Sequence, residues 1–449
     1  MVRHATGAGH DANRRHHGAL WLLRNAIRSH VRESSVSLAR HQAHVMHPFL
    51  DKYFLYTSIL GSHTFFLLFL PPIYLLLEPS FGRILILTLG LGVYLTAIVK
   101  DYFCIERPLS PPVRRLIIGS YHLEYGFPST HSANAVGMSI AVYYFLIQIR
   151  KTLSFLIDFK LMQPNGWSTL IRSSPLTELV ILFYTCTVIY GRLYLGMHSI
   201  IDCVAGALIG AISALGALAF DSYFEQMLQW RGSLVPLSIF ALGCLSLVIQ
   251  PIPLEPCPCY DDVVCFVGAF LGVAIGNWRT NNYFYEDMER LDMVLRRLTS
   301  ILPSELTWRM SAFWNFMVLR SVRGRLVASL IFAIAPLVAW KVCATPILKT
   351  GIPRSYRICK RFVIQRLMGK MSITDSLRLR TQVKSQKGQT RNSKKSTMKP
   401  ECTLHCTSEE RFCIDAPRLV IYIGVGFMGA TFSRYLINYY DVKLFKLIV

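Results

Sequence analysis

Charge is what this sequence has least of. Only 16% of its 449 residues are Asp, Glu, Lys or Arg, against about 25% in an ordinary soluble domain. Acids are the scarcer sign: 26, against 48 Lys and Arg, for a net charge of +22. A chain this apolar is not disordered, and its composition argues against a cytosolic enzyme. The 12 cysteines form no repeated Cys-x-x-Cys pair, so a zinc module is not expected. Cys257-Pro-Cys259 reads as a structural loop feature. There is no His-Glu-x-x-His or Asp-x-Asp pattern to suggest a metal. The first fifty residues lack the long apolar core of a secretory signal, and no internal repeat is visible.

What the chain does have is apolar length. Hydrophobic residues make up 52% of it. Runs near 54–77, 82–99, 132–149, 178–196, 199–220, 234–252, 262–277, 325–345 and 418–437 approach the roughly 20 residues that cross a bilayer as a helix. Within lipid a helix satisfies its own backbone. The expected fold is therefore all-α, a polytopic transmembrane bundle of about eight or nine spans. Pro71-Pro72 is expected to kink the first span or make it re-entrant.

Five regions are expected. A polar, basic tail covers 1–52, with a short amphipathic helix near 19–28. A transmembrane core covers 53–277. A basic loop and a further span cover 278–345. A basic, partly disordered linker covers 346–417, and a last helix and tail cover 418–449. Residues 349–400 carry fifteen Lys or Arg and one acid, Asp375. Such a segment suits an anionic leaflet, or simply solvent. No nucleic-acid partner is expected.

Three stretches break the apolar pattern at span boundaries. The first runs from Lys100 to Arg107-Pro108. The second is Pro128-Ser129-Thr130-His131. The third is Gly191-Arg192 through His198 to Asp202. Charged groups at membrane depth are costly and usually line a polar site. Lys100, Arg107 and Arg192 have the chemistry to surround a phosphate dianion, arginine by its planar fork. Ser129 precedes an apolar run and is placed to cap a helix whose free N–H groups attract an anion. His198 and Asp202 are four apart and share a helix face. A carboxylate holding one imidazole nitrogen leaves the other as a nucleophile, and His131 is the candidate acid for the leaving oxygen. Singly, each residue has a structural explanation: a snorkelling lysine, a turn, a cap, an intrahelical hydrogen bond. In this order and at these boundaries they make a complete set for phosphoryl transfer.

These residues resemble the three-part signature of the type 2 phosphatidic acid phosphatase superfamily: Lys, six residues, Arg-Pro; then Pro-Ser-Gly-His; then Ser-Arg, five residues, His, three residues, Asp. The match covers roughly residues 85–215. Thr130 stands where Gly is usual and Gly191 where Ser is usual. The runs Arg107–Val113, Glu124–Ala135 and Gly191–Ser199 are similar to the sphingoid-base 1-phosphate phosphatase branch. The resemblance implies a helical catalytic core of that superfamily and residue roles within it. Lys100, Arg107, Ser129, Thr130 and Arg192 bind phosphate. His198 forms a phosphohistidine, Asp202 orients it, and His131 protonates the leaving alkoxide. No metal or cofactor is implied. The implied activity is hydrolysis of sphingosine, dihydrosphingosine or phytosphingosine 1-phosphate in the endoplasmic reticulum membrane.

The alternatives are another lipid phosphate (phosphatidate or dolichyl diphosphate), glucose 6-phosphate, a multi-span lipid transporter, or a silent relative. On sidedness, the loops 150–177 and 278–324 lie opposite the motifs and are basic, which makes the site lumenal by the positive-inside rule. The basic tails argue the other way. The sequence leaves oligomeric state open.

Overall fold

The computed structural model describes residues 18–74, 79–116, 124–158, 166–251, 259–301, 322–368 and 408–435. Among these residues all regular structure is helical. In chain order the helices are α1 (Gly18–Val45), α2 (Pro48–Thr57), α3 (His63–Pro72), α4 (Pro79–Phe103), α5 (Thr130–Asp158) and α6 (Gly166–Ser173). They continue with α7 (Leu176–Tyr194), α8 (Ile200–Gln229), α9 (Leu234–Ile249), α10 (Cys259–Ile301), α11 (Val322–Met368) and α12 (Ser408–Met428). Seven of them, α4, α5, α7, α8, α10, α11 and α12, are long and apolar enough to cross a membrane. Their outward faces are apolar too: Phe183 on α7, and Leu208 and Ile212 on α8, are each about 60% exposed. A water-facing helix carries polar groups there; lipid asks for none. The protein is an all-α polytopic membrane bundle.

Two of the nine expected spans take another form. The run 54–77 is not one helix. It breaks at a 3-10 turn, Ser58–Gly61, into α2 and α3. The break comes earlier than the prolines suggest, because Ser62 caps a new helix by accepting from the Phe65 N–H at 3.3 Å. Each piece has 10 residues, about 15 Å of helix, and neither crosses alone. The run 234–252 forms α9, a 16-residue apolar helix shorter than a standard span.

The N-terminal region is also more ordered than a tail. Its expected short helix is part of α1, 28 residues long. Ile27 and Val31 on α1 pack against Ile105 and Phe127. Ser35 Oγ accepts from the Leu109 N–H, and Gln42 Nε2 donates to the carbonyls of Arg114 and Tyr194. α1 therefore lies across the motif-bearing end of the bundle. The boundary expected at 277 falls inside α10, which kinks at Tyr283 (φ −134°, ψ 15°). The one expected at 345 falls inside α11, so the first part of the basic linker is helical. The stretch 369–407, which includes Ser385–Lys399, lies outside the described residues.

Two close-packed groups make up the bundle. In the first, α4, α5, α7 and α8 enclose the motifs. A Cβ on Gly206 would come within 2.2 Å of the Ser129 carbonyl oxygen, and one on Gly210 within 2.1 Å of that of Ala133. Only glycine lets α8 approach α5 this closely, as in small-residue packing between membrane helices. In the second, Gly268, Gly272 and Gly276 repeat every four residues along α10 and meet α12, where Gly426 returns the contact. This small-residue stripe is legible in the sequence once helical spacing is assumed.

Candidate active site

Four chain segments converge at one end of the first group: the end of α4, the start of α5, the end of α7 and the start of α8. Lys100 sits in the last turn of α4. The helix stops at Cys104, which adopts a left-handed conformation (φ 47°) at a cost of about 1–2 kcal/mol for a residue with a Cβ. That reversal carries Arg107 back beside Lys100. Their side chains share one carboxylate, Glu124, at 3.2 Å from Lys100 Nζ and 3.4 Å from Arg107 Nη2. Arg192, in the last turn of α7, is the third cation. Gly196 (φ +67°) then turns the chain, and the Met197 and His198 N–H groups donate to the Arg192 carbonyl. A glycine in this conformation after a helix end is a common C-terminal stop. Here it fixes where His198 lands relative to Arg192.

His198 is 2% exposed, Lys100 3%, Arg107 and Arg192 6%, and Ser129 and Asp202 0%. Burying three cations and an imidazole together is costly unless each is matched by hydrogen bonds or opposite charge. His198 Nδ1 lies 2.9 Å from the Gly126 carbonyl oxygen. A carbonyl only accepts, so Nδ1 carries the proton and Nε2 the lone pair. Nε2 faces Arg107 Nη1 at 3.3 Å, and the same Nη1 donates to the Met197 carbonyl at 3.0 Å. Burial holds the imidazole well below the ordinary histidine value, and Arg107, Arg192, Lys100 and His131 lower it further. His198 is thus neutral, in the tautomer that directs a nucleophilic nitrogen at the cations.

Asp202 is placed differently from the sequence expectation. Its Oδ2 is 3.9 Å from His198 Nδ1, beyond hydrogen-bond range. The carboxylate instead accepts from the Ser199 N–H at 2.7 Å, completing a capping box at the start of α8. The Gly126 carbonyl accepts the direct hydrogen bond from His198, and the Asp202 carboxylate stands nearby, bonded to Ser199 and not to the imidazole. Ser129 does cap α5: its Oγ accepts from the Ser132 N–H and O–H, and its own N–H donates to the Asp202 carbonyl at 2.9 Å. Thr130 and His131 follow in the first turn of α5 and line one pocket with Lys100 and Glu124. Gly61, in the turn before α3, presses against the His131 ring, where a Cβ would come within 2.6 Å of Cδ2. At Gly191 a Cβ would meet the Phe54 ring at 3.1 Å, so the missing hydroxyl makes room for α2.

All the sequence-predicted residues gather in this one region. Sequence reasoning missed three contributors. Gly126 acts through its backbone, Gly61 through the space it leaves, and Glu124 as the counter-ion the cations share. Glu124 alone carried a signal, as an acid beside a motif.

Residues 81–226 match the PAP2 superfamily. The chain is 35% identical to a dihydrosphingosine 1-phosphate phosphatase of Saccharomyces cerevisiae, over 53% of this chain and 54% of that protein. It is 30% identical to a dihydrosphingosine 1-phosphate phosphatase of Schizosaccharomyces pombe, over 57% and 59%. It is 28% identical to sphingosine-1-phosphate phosphatase 2 of Mus musculus, over 62% and 72%. The chain spans between about half and three-quarters of the length of these relatives, and little more than half of the first two. Lys100, Arg107, Ser129, His131, Arg192, His198 and Asp202 all fall inside the segment that resembles the PAP2 superfamily.

Proposed function

We propose that the protein is a metal-independent lipid phosphate monoesterase acting on sphingoid-base 1-phosphates. The observation that carries this reading is the setting of His198: Nδ1 lies 2.9 Å from the Gly126 carbonyl oxygen, and Nε2 faces Arg107 Nη1 at 3.3 Å. Lys100, Arg107 and Arg192 neutralise the phosphate dianion, and Glu124 yields them as it enters. Charge neutralisation by fixed cations is the main work of phosphoryl transfer. Nε2 of His198 attacks phosphorus in line while the bond from phosphorus to the lipid oxygen breaks. His131 gives its proton to that oxygen, so the lipid leaves as an alcohol. The imidazole, now bonded to phosphorus and still protonated at Nδ1, is cationic, and the Asp202 charge 3.9 Å away stabilises it. Neutral His131 then takes a proton from water, which attacks phosphorus. The phosphorus–nitrogen bond breaks, releasing inorganic phosphate and restoring His198.

The sphingoid preference draws on the relatives' substrates and on the similar runs around the motifs. A panel with excess chelator tests it. Dihydrosphingosine 1-phosphate is expected to give a kcat/KM at least about tenfold above phosphatidate or dolichyl diphosphate, about 1.4 kcal/mol of transition-state discrimination. Equal or reversed rates move the substrate to another lipid phosphate.

We place the site on the lumenal side of the endoplasmic reticulum membrane. Cys259, which lines the site pocket, is disulfide-bonded, and such bonds persist in oxidising compartments. Because α1 docks on the site end, an acceptor Asn-x-Thr sequence placed ahead of residue 18 is expected to gain a glycan in cells. The same sequence placed in 159–165 is expected to stay bare. The opposite pattern puts the site in the cytosol.

A further inference from the structure

A second cavity, of about 210 Å³, opens between α3, α10, α11 and α12. Most of its wall is apolar, including Phe66, Phe270, Leu337 and Val425. Its cation, Lys341, sits 5.4 Å from the centre of the Tyr422 ring, a distance at which the aromatic face attracts it. Apolar cavities of about 150 Å³ already hold a benzene-sized molecule, so this one accepts part of a hydrocarbon chain. All four of these helices lie outside the matched segment, and three of them, α10, α11 and α12, lie wholly beyond residue 226.

One side chain lines both this cavity and the phosphate pocket: Asp262, in the first turn of α10. On the phosphate side its companions are Lys100, Glu124, Thr130 and His131. The order along the protein is therefore a phosphate-side cation, Lys100, then the carboxylate that the two cavities share, Asp262, then an apolar chamber. A molecule that fits this order carries a phosphate, then an amine, then a single hydrocarbon chain. Helix-start acids are favoured by the helix dipole in any case. That accounts for an acid in the first turn of α10, and not for one that joins the two cavities.

We infer that Asp262 pairs with the ammonium group of a single-chain amino-alcohol phosphate whose tail occupies the cavity between α3, α10, α11 and α12. This assignment rests on the phosphatase reading above and names what selects the substrate at that site. An amine-free diacyl phosphate gains nothing from Asp262 and brings one chain too many for the chamber. The tail is sheltered by protein, and the helices added after the catalytic domain decide specificity.

The test uses the full-length protein in detergent and three C18 substrates: dihydrosphingosine 1-phosphate, its N-acetyl derivative and octadecyl phosphate. A charge-assisted hydrogen bond contributes about 1.5–3 kcal/mol. The wild type is therefore expected to prefer the free amine about ten- to a hundredfold in kcat/KM. Asp262→Asn is expected to remove most of that preference and Asp262→Glu to restore part of it. A second ratio, dihydrosphingosine 1-phosphate over its C8 analogue, is expected to fall at least about tenfold in Leu337→Trp, which fills the chamber, with the C8 turnover reporting that this variant is folded. Asp262→Asn that slows all three C18 substrates alike makes Asp262 structural and overturns its assignment. A chain-length ratio unmoved by Leu337→Trp overturns the chamber. Free-amine hydrolysis with no preference over the N-acetyl compound overturns the inference while leaving the phosphatase reading standing. Absence of hydrolysis of every lipid phosphate overturns the phosphatase reading, and this inference with it.

Discussion

His198→Ala is expected to abolish turnover, by about 10⁴-fold or more, as removal of a nucleophile does elsewhere, in a protein that remains folded. The structure gives the reason in three distances. Nδ1 is tied to the Gly126 carbonyl at 2.9 Å, Nε2 meets Arg107 at 3.3 Å, and Asp202 lies 3.9 Å from the ring on which the proposed mechanism places a positive charge. No other described nitrogen nucleophile occupies that position. Brief reaction with phosphate-labelled substrate followed by alkaline quench is expected to trap an acid-labile label on the wild type and none on the variant. Label retained by the variant places the covalent step elsewhere. The pH dependence follows from the same environment. The proposed nucleophile is the neutral His198 imidazole, and its folded value is depressed below the ordinary 6.5 by burial and by the cations. Neutral His198 therefore persists as pH falls below 6.5 and is lost only as pH falls through the depressed value. After division by the substrate's own second phosphate ionisation, the acid limb of kcat/KM is expected to lie below pH 6.5. A limb at or above that pH contradicts the assigned environment.

Gly126→Ala is the second large effect. A Cβ there would lie 2.9 Å from Arg107 Cα and 2.9 Å from the Glu106 carbonyl oxygen, both backbone atoms that cannot swing aside. Relief requires the 124–128 strand of chain to back away from the Arg107 loop, and the Gly126 carbonyl leaves His198 Nδ1 as it goes. Both the tautomer and the Arg107 position are then disturbed. Misplacement of about 1 Å in such a site costs about 10²-fold in rate, and that is the expected fall in kcat, with KM changed less. Thermal stability is expected to drop only modestly, because Gly126 lies in a loop and the helix cores do not pass through it. A variant with normal kcat contradicts the role given to the Gly126 carbonyl. Asp202→Asn offers a contrast: it keeps the Ser199 cap through an amide oxygen and removes the charge behind His198.

Several features of this protein were readable without coordinates. The motif spacing is rigid covalent information: six residues separate Lys100 from Arg107, and three separate His198 from Asp202. Each spacing straddles a helix end, with Arg107 beyond the end of α4 that holds Lys100 and His198 ahead of the start of α8 that holds Asp202, so it keeps the pair close without a shared helix face. Long apolar runs carried α4, α5, α7 and α8 for the same reason, since a chain inside lipid has few ways to satisfy its backbone. The break between α2 and α3 was less legible. Ser62 competes as a cap within a run that is apolar throughout, and hydropathy does not register a cap. α1 leaves a weak signal because its docking face mixes Ile27 and Val31 with Ser35 and Gln42, whose contacts are hydrogen bonds to distant backbone.

The sequence by itself determined that the chain is a helical membrane protein and which polar side chains stand at the ends of its apolar runs, because both follow from local composition and spacing. Tertiary structure alone decided who holds whom. The Gly126 carbonyl takes the bond expected of Asp202, Glu124 bridges two cations, Gly61 seats His131, and Asp262 joins two cavities. These contacts link residues far apart in the chain, and several of them run through backbone atoms or through the absence of a side chain. Neither leaves a pattern in the order of residue types, so only the packing of α4, α5, α8 and α10 could reveal them.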